Sequence, residues 1–99
     1  MLLLSIFLAC GDDHSHGDED FAHIMELESN IDRGAELYSE NCSSCHGENA
    51  EGGTGPDLVG TEIGHVVEAI QNGVGYDMPS FPNLEDQDIA DIFSYLQSL

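Results

Sequence analysis

NCSSCHGENAEGGTGPDLVG, Asn41 to Gly60, decides how the rest of the chain is read. It opens with C-x-x-C-H: Cys42, Cys45 and His46. That spacing puts two thiols one helical turn apart, with an imidazole next door. From Gly47 to Gly60 follow five glycines and one proline with few apolar residues, a composition in which no regular element survives. A loop this long in a chain of 99 residues needs something to wrap around.

Each thiol can add to one vinyl group of a haem, and the adjacent imidazole then meets the iron from one side. The spacing reads as c-type haem attachment. Other readings account for less of the pattern. A structural zinc site needs four ligands, usually two Cys/His pairs; here Cys10 is remote and His65 stands alone. A thioredoxin-like dithiol belongs in a βαβ setting, and no segment reads as a strand. A Cys42–Cys45 disulfide suits an oxidising compartment but leaves His46 and the small core unexplained. A haem answers both, as a large apolar plate whose burial contributes on the order of 25 cal/mol per Å².

Working outward, Ser29 and Asp32 have capping-box spacing, and Ile31, Gly34, Ala35 and Tyr38 share one face of a helix running toward Cys42. Gly34 in mid-helix costs about 1 kcal/mol relative to Ala, so another element is expected to come very close there. Beyond the glycine loop, TEIGHVVEAIQNG (Thr61–Gly73) reads as a second helix. Thr61 is its N-cap, Ile63, Val66, Val67 and Ile70 its apolar stripe, and Gly73 its left-handed stop. A third helix covers Glu85 to Ser98, with Ile89, Ile92, Phe93, Leu96 and Leu99 at a 3.6-residue period. Asp86 and Asp88 favour its N-terminal dipole end, and Asn83 or Glu85 supplies the cap. There is no internal repeat. The expectation is an all-α fold, three main helices and long loops around one covalently bound haem.

Residues 1–9, MLLLSIFLA, are too few to span a bilayer but suit the apolar region of an export signal peptide. FLAC followed by Gly11 resembles a bacterial lipobox, with Phe7 where Leu is usual, in which Cys10 is lipidated and becomes the new N-terminus. A plain cleaved signal is the alternative, but it gives a lone third cysteine no reason. Residues 10–28 are acidic, lack an apolar period until late, and read as a flexible tether. Residues 29–99 are then the folded domain, a size at which a staple or cofactor is expected. His14, His16 and His23 among the tether's carboxylates suit loose copper, zinc or nickel binding; a solvated tether is the plainer reading.

Twenty acidic residues face a single basic one, Arg33, for a formal net charge of −19. Nucleic-acid binding and an electrostatic grip on anionic lipid are excluded, because both need a basic surface. The acidity has two readings, a basic docking partner or adaptation to high salt. At 1 M salt the Debye length is about 3 Å, so carboxylate repulsion is screened. The spread of acid over tether, helices and loops favours the salt reading.

A haem iron has a second face to fill. Met1 belongs to the signal and Met25 to the tether, whereas Met78 sits in an irregular, proline-flanked segment after the second helix. Met78 is the candidate distal ligand. His65 is its rival, although its helical spacing suits a solvated or packed side chain.

With these motifs in hand, the chain resembles a small bacterial class I c-type cytochrome, monohaem and with a lipoprotein leader. GAELYSENCSSCHG resembles that family's N-terminal helix and haem-binding segment, GTGPDLVG its proline loop, VGYDMPSFPNL its axial methionine loop and EDQDIADIFSYLQSL its C-terminal helix. The likeness covers residues 29–99 and implies the cytochrome c fold. It implies that Cys42 and Cys45 hold haem c, that His46 and Met78 bind the iron, and that the Pro56 carbonyl orients His46. It further implies that Gly34 and Tyr38 cross the last helix at Ile92 and Tyr95, and that Leu58, Phe81, Phe93 and Leu96 line the haem. Many relatives ring the haem edge with lysines; this chain has none.

The implied function is a one-electron carrier, not an enzyme. It would shuttle electrons between membrane-associated redox proteins, such as oxidase or reductase complexes, as a lipid-anchored monomer in the periplasm or on the outer face of the cytoplasmic membrane. The alternatives are a haem subunit of a larger oxidoreductase, or a ligand-binding or peroxidatic haem protein in which Met78 is labile.

Overall fold

The structure, a computed structural model, describes residues 16–99. The leader, Cys10 and His14 lie outside the described residues. Five helices follow in order among them: α1 (His16–Met25), α2 (Ile31–Asn41), α3 (Ser43–His46), α4 (Ile63–Asn72) and α5 (Asp86–Gln97). No strand forms among the described residues; Val74 and Met78 make one isolated antiparallel bridge.

The crossing of α2 and α5 is the most extensive helix contact. At Gly34 a Cβ would run into the backbone carbonyl of Asp91 and stand 3.0 Å from Tyr95 Cβ. The expected close approach is therefore present, with Asp91 rather than Ile92 opposite the glycine. The Tyr38 and Tyr95 rings pack 5.4 Å apart at 44°. The buried face of α2 is Gly34, Leu37 and Tyr38, while Ile31, expected on that stripe, is 47% exposed. Asp91 is itself buried; its Oδ1 accepts from Asn30 N (2.8 Å) and Gln87 Nε2 (3.0 Å). Gln87 Nε2 also donates to the Glu28 carbonyl at 2.7 Å. These bonds tie the chain entering α2 to α5.

The caps of α2 and α4 differ by a residue from the sequence expectation, while that of α5 is one of the two expected. Asn30, not Ser29, caps α2, its Oδ1 accepting from Arg33 N at 3.0 Å. Helix α4 starts after an extended Glu62 with no side-chain cap, so Thr61 does not serve. Glu85 caps α5 in a reciprocal capping box with Asp88. Ile63, Val66, Val67 and Ile70 are buried on α4, as their period requires, and join Ile89, Ile92 and Leu96 in the core.

The tether expected over residues 10–28 requires a correction in its second half. Helix α1 occupies part of it and packs on α4 and α5. Ile24 is 1% exposed, and Phe21 lies over α4 so closely that a Cβ at Gly64 would meet its ring at 3.3 Å. Phe21, Ile24 and Leu27 recur three apart, enough to seat one face of a short helix although acidic residues surround them. The folded unit therefore begins before Ser29. His23 sits exposed on this helix, and no cluster of three or more His, Cys, Asp or Glu gathers among the described residues.

Candidate cofactor site

Cys42 stands at the break between α2 and α3. Its N–H still bonds the Tyr38 carbonyl at 2.8 Å, while its own carbonyl accepts from Cys45 N (3.2 Å) and His46 N (3.0 Å). One short helical turn thus carries both sulfurs and the imidazole. Cys42 is half-buried and Cys45 exposed, and no disulfide joins them. Burial, and secondarily the neighbouring Cys45, pushes the Cys42 thiol up to about 11.

His46 is buried, with 7% of its surface exposed. Its Nδ1 lies 2.8 Å from the Pro56 carbonyl oxygen. A carbonyl only accepts, so Nδ1 carries the proton and Nε2 keeps its lone pair. This is the arrangement a ligand histidine needs, with the remote nitrogen fixing tautomer and ring orientation. The glycine loop holds Pro56 there through the turn itself. The last carbonyls of α3, which no further helical turn satisfies, accept from Gly52 N (His46 carbonyl, 2.8 Å) and Gly55 N (Cys45 carbonyl, 2.7 Å). Gly55 lies against the imidazole, where a Cβ would stand 2.9 Å from Cε1 and 3.0 Å from Nδ1.

Two ties to this loop were not read from the sequence. Tyr38 Oη donates to the Gly47 carbonyl at 2.6 Å. Burial first, then Cys42 and Tyr95, pushes its hydroxyl up to about 12. Ala50 is fully buried at a positive φ of 61° and accepts from Leu58 N at 2.8 Å. An alanine gives no pattern signal for such a role.

Met78 is half-buried at the end of a tight turn. Val74 N donates to the Met78 carbonyl (2.9 Å) and Met78 N to the Val74 carbonyl (3.2 Å). His65 is exposed on α4. Leu58, Phe81 and Phe93 are half-buried against the core, and Leu96 is buried within it. Phe93 and Leu96 also line a cleft of about 990 Å³ with Phe21, Ile63, His65 and Val67, a cleft that touches none of Cys42, Cys45, His46 and Met78. The donor set fits a covalent haem: two thiols on one turn, a buried imidazole with its far nitrogen already committed, and a glycine loop that leaves room at its ring.

Comparison with known proteins agrees. The family model described as cytochrome c oxidase, cbb3-type, subunit III, matches residues 29–96. A cytochrome c-553-like protein of Synechocystis sp. is 34% identical over 83 residues, covering 79% of this chain and 77% of that protein. The cbb3-type cytochrome c oxidase subunit CcoP of Rhodobacter capsulatus is 34% identical over 83 residues; the match covers 67% of this chain but only 28% of that subunit. The crystal structure of cytochrome cL from Hyphomicrobium denitrificans superposes with a TM-score of 0.62 at 28% identity, over 68% of this chain and 45% of that one. An all-helical fold, a C-x-x-C-H turn and these relatives converge on an electron-transfer haem domain, of the carrier kind or of the oxidase-subunit kind. The chain belongs to the cytochrome c family, as a small monohaem class I member with covalently bound haem c.

Proposed function

We propose that the protein is a one-electron carrier of the cell envelope. Cys42 and Cys45 would hold the haem as thioethers, His46 Nε2 and Met78 Sδ would bind its iron, Pro56 would orient His46, and Leu58 and Phe81 would line the pocket. The observation that carries this reading is the buried His46 with its Nδ1 proton on the Pro56 carbonyl, directly after the two thiols. When bound, the haem supplies a ferric/ferrous couple. The chain's own residues would keep it in place and fix the imidazole; methionine ligation in addition to histidine would favour the reduced state and raise the potential. The likeness to electron-transfer cytochromes c supports a carrier rather than an enzyme.

Residues 1–9 serve as the export signal and Cys10 as the lipid anchor, with the domain acting as a monomer in the periplasm or on the outer face of the cytoplasmic membrane. Membrane oxidase or reductase complexes are the fitting partners. The leader's composition and the likeness to an oxidase subunit support this. No described helix is long and apolar enough to cross a membrane. A second reading, a haem module of a larger oxidoreductase, is favoured by the match to a subunit of which this chain spans about a quarter. Isolation from native membranes separates the two, since a module leaves the membrane with its complex and a carrier leaves alone.

The test is expression in a host with haem-maturation machinery, read by mass and visible spectrum. One haem is expected on the chain, with the charge-transfer band of methionine on ferric iron at neutral pH. That band should vanish in Met78→Ala. A chain without added haem mass sinks the attachment reading, and an unchanged band in Met78→Ala sinks Met78 as ligand.

A further inference from the structure

We infer that the turn Val74–Met78 is the docking contact for a cationic redox protein, with Tyr76 as its anchor. This rests on the proposed reading of Met78 as the distal ligand.

The turn is fastened at both ends. Val74 and Met78 exchange two backbone hydrogen bonds, Gly73 N donates to the Ala69 carbonyl at 2.8 Å, and Phe81 N donates to the Ile70 carbonyl at 2.7 Å. Its base is thus bound to the last turns of α4. Its tip, Gly75, Tyr76 and Asp77, is exposed. Tyr76 has 105% of its reference surface exposed, the largest value among the exposed apolar side chains, and Val74 beside it has 56%. A large aromatic on a turn already ordered by four backbone bonds gains contact area on binding and loses little backbone freedom. Tyrosine is among the residue types enriched at interface hot spots.

Charge selects the occupant. Asp77 is on the tip itself, and the chain as a whole carries a formal net charge of −19. The chain's single Arg or Lys, Arg33, is on α2 and spends its guanidinium on Glu36 at 3.5 Å. A partner that closes on this turn therefore brings positive charge around an apolar centre that accepts Tyr76. At low ionic strength the carboxylates steer it. At high ionic strength they are screened and Tyr76 carries the contact.

The test uses the ferric holoprotein and two electron donors. One is a zinc-substituted, lysine-rich cytochrome c, whose photoexcited porphyrin passes one electron to this protein. The other is hexaammineruthenium(II), too small to need a docking face. With the protein donor, Tyr76→Ala should slow second-order transfer about tenfold at both low and 1 M salt. Tyr76→Phe should retain the wild-type rate, and Asp77→Asn should slow transfer at low salt alone. With hexaammineruthenium all four proteins should react alike, with the same visible spectrum. Equal rates for wild type and Tyr76→Ala with the protein donor overturn the inference. So does a wild type that reacts with hexaammineruthenium but not with the lysine-rich donor, or a Tyr76→Ala that loses rate with both donors and changes its spectrum. A wild type inert to both donors, or lacking the methionine band, instead breaks the reading of the site on which the inference rests.

Discussion

The loop that carries Pro56 and the loop that carries Met78 are held by different means. The first is tied back onto the attachment turn: Gly52 and Gly55 donate to the carbonyls of His46 and Cys45, and the imidazole donates to Pro56. The second refers to α4 instead, closing on itself through Val74 and Met78 and reaching Ile70 through Phe81. One loop is thus set by the motif it follows, and the other by the end of a helix ten residues long. A perturbation in either should be felt first at its own proposed ligand, His46 for the first and Met78 for the second.

The largest effect is expected at Gly73, where the second loop departs from α4. Its φ is +77°, and a Cβ would stand 2.7 Å from the Met78 carbonyl oxygen and 3.0 Å from Ser80 N. Gly73→Ala combines a left-handed penalty of about 1–2 kcal/mol with overpacking of about 1–3 kcal/mol, for about 3 kcal/mol in all. Denaturant unfolding of the holoprotein should show that loss, and the methionine band should weaken while the haem stays covalently attached. A variant of unchanged stability and full band intensity would mean that the α4 end does not set the Met78 loop.

Gly55→Ala makes the matching test on the other side. Its Cβ would press on the imidazole from 2.9 Å, and the ring is wedged between this glycine and Pro56, so the loop must yield. The expected cost is about 2 kcal/mol. The signature that separates it from Gly73→Ala is on the proximal side: the hyperfine-shifted resonances of the His46 ring should move while those of the Met78 methyl stay. Movement confined to Met78 would erase the distinction between the loops.

This difference also explains what could be read from the residues alone. Cys42, Cys45 and His46 carry their chemistry in their spacing, and the His46–Pro56 bond was legible because the family pattern names both partners. Met78 is a proposed ligand chosen by elimination among three methionines, which indicates a residue and not a geometry. The helices of the domain followed from apolar period, but the caps slid by a residue because Ser29, Asn30 and Asp32 compete as acceptors in one short stretch. Helix α1 was missed because three apolar residues in an acidic segment give a weak period, and only the surface of α4 at Gly64 makes a seat for Phe21. Asp91 and Ala50 were not legible at all. Asp91 reads as a solvated helical carboxylate, yet it is buried against the distant Asn30; Ala50 reads as filler, yet it is fully buried in the loop.

The smallest expected effect probes the side-chain tie from α2 into the Pro56 loop. Tyr38→Phe removes the hydroxyl that donates to Gly47 and should cost about 1 kcal/mol near neutral pH. The same variant has a pH signature whose sign follows from the raised hydroxyl, about 12 in the fold against 10 for an ordinary tyrosine. Below pH 10 the hydroxyl is neutral in both states and its contribution is complete. Between 10 and about 12 the unfolded chain releases the proton while the folded one holds it, so stability falls as pH rises. In the holoprotein Cys42 is a thioether and its share of the upward push is gone, but burial, the larger cause, still holds the hydroxyl above its ordinary value, so the variant should lack this part of the alkaline fall. The gap between the two proteins should then narrow as pH rises from 10 toward 12. A gap that stays constant over that interval would show that the Tyr38 hydroxyl titrates freely, and hence that it is not what fastens the start of the Pro56 loop to α2.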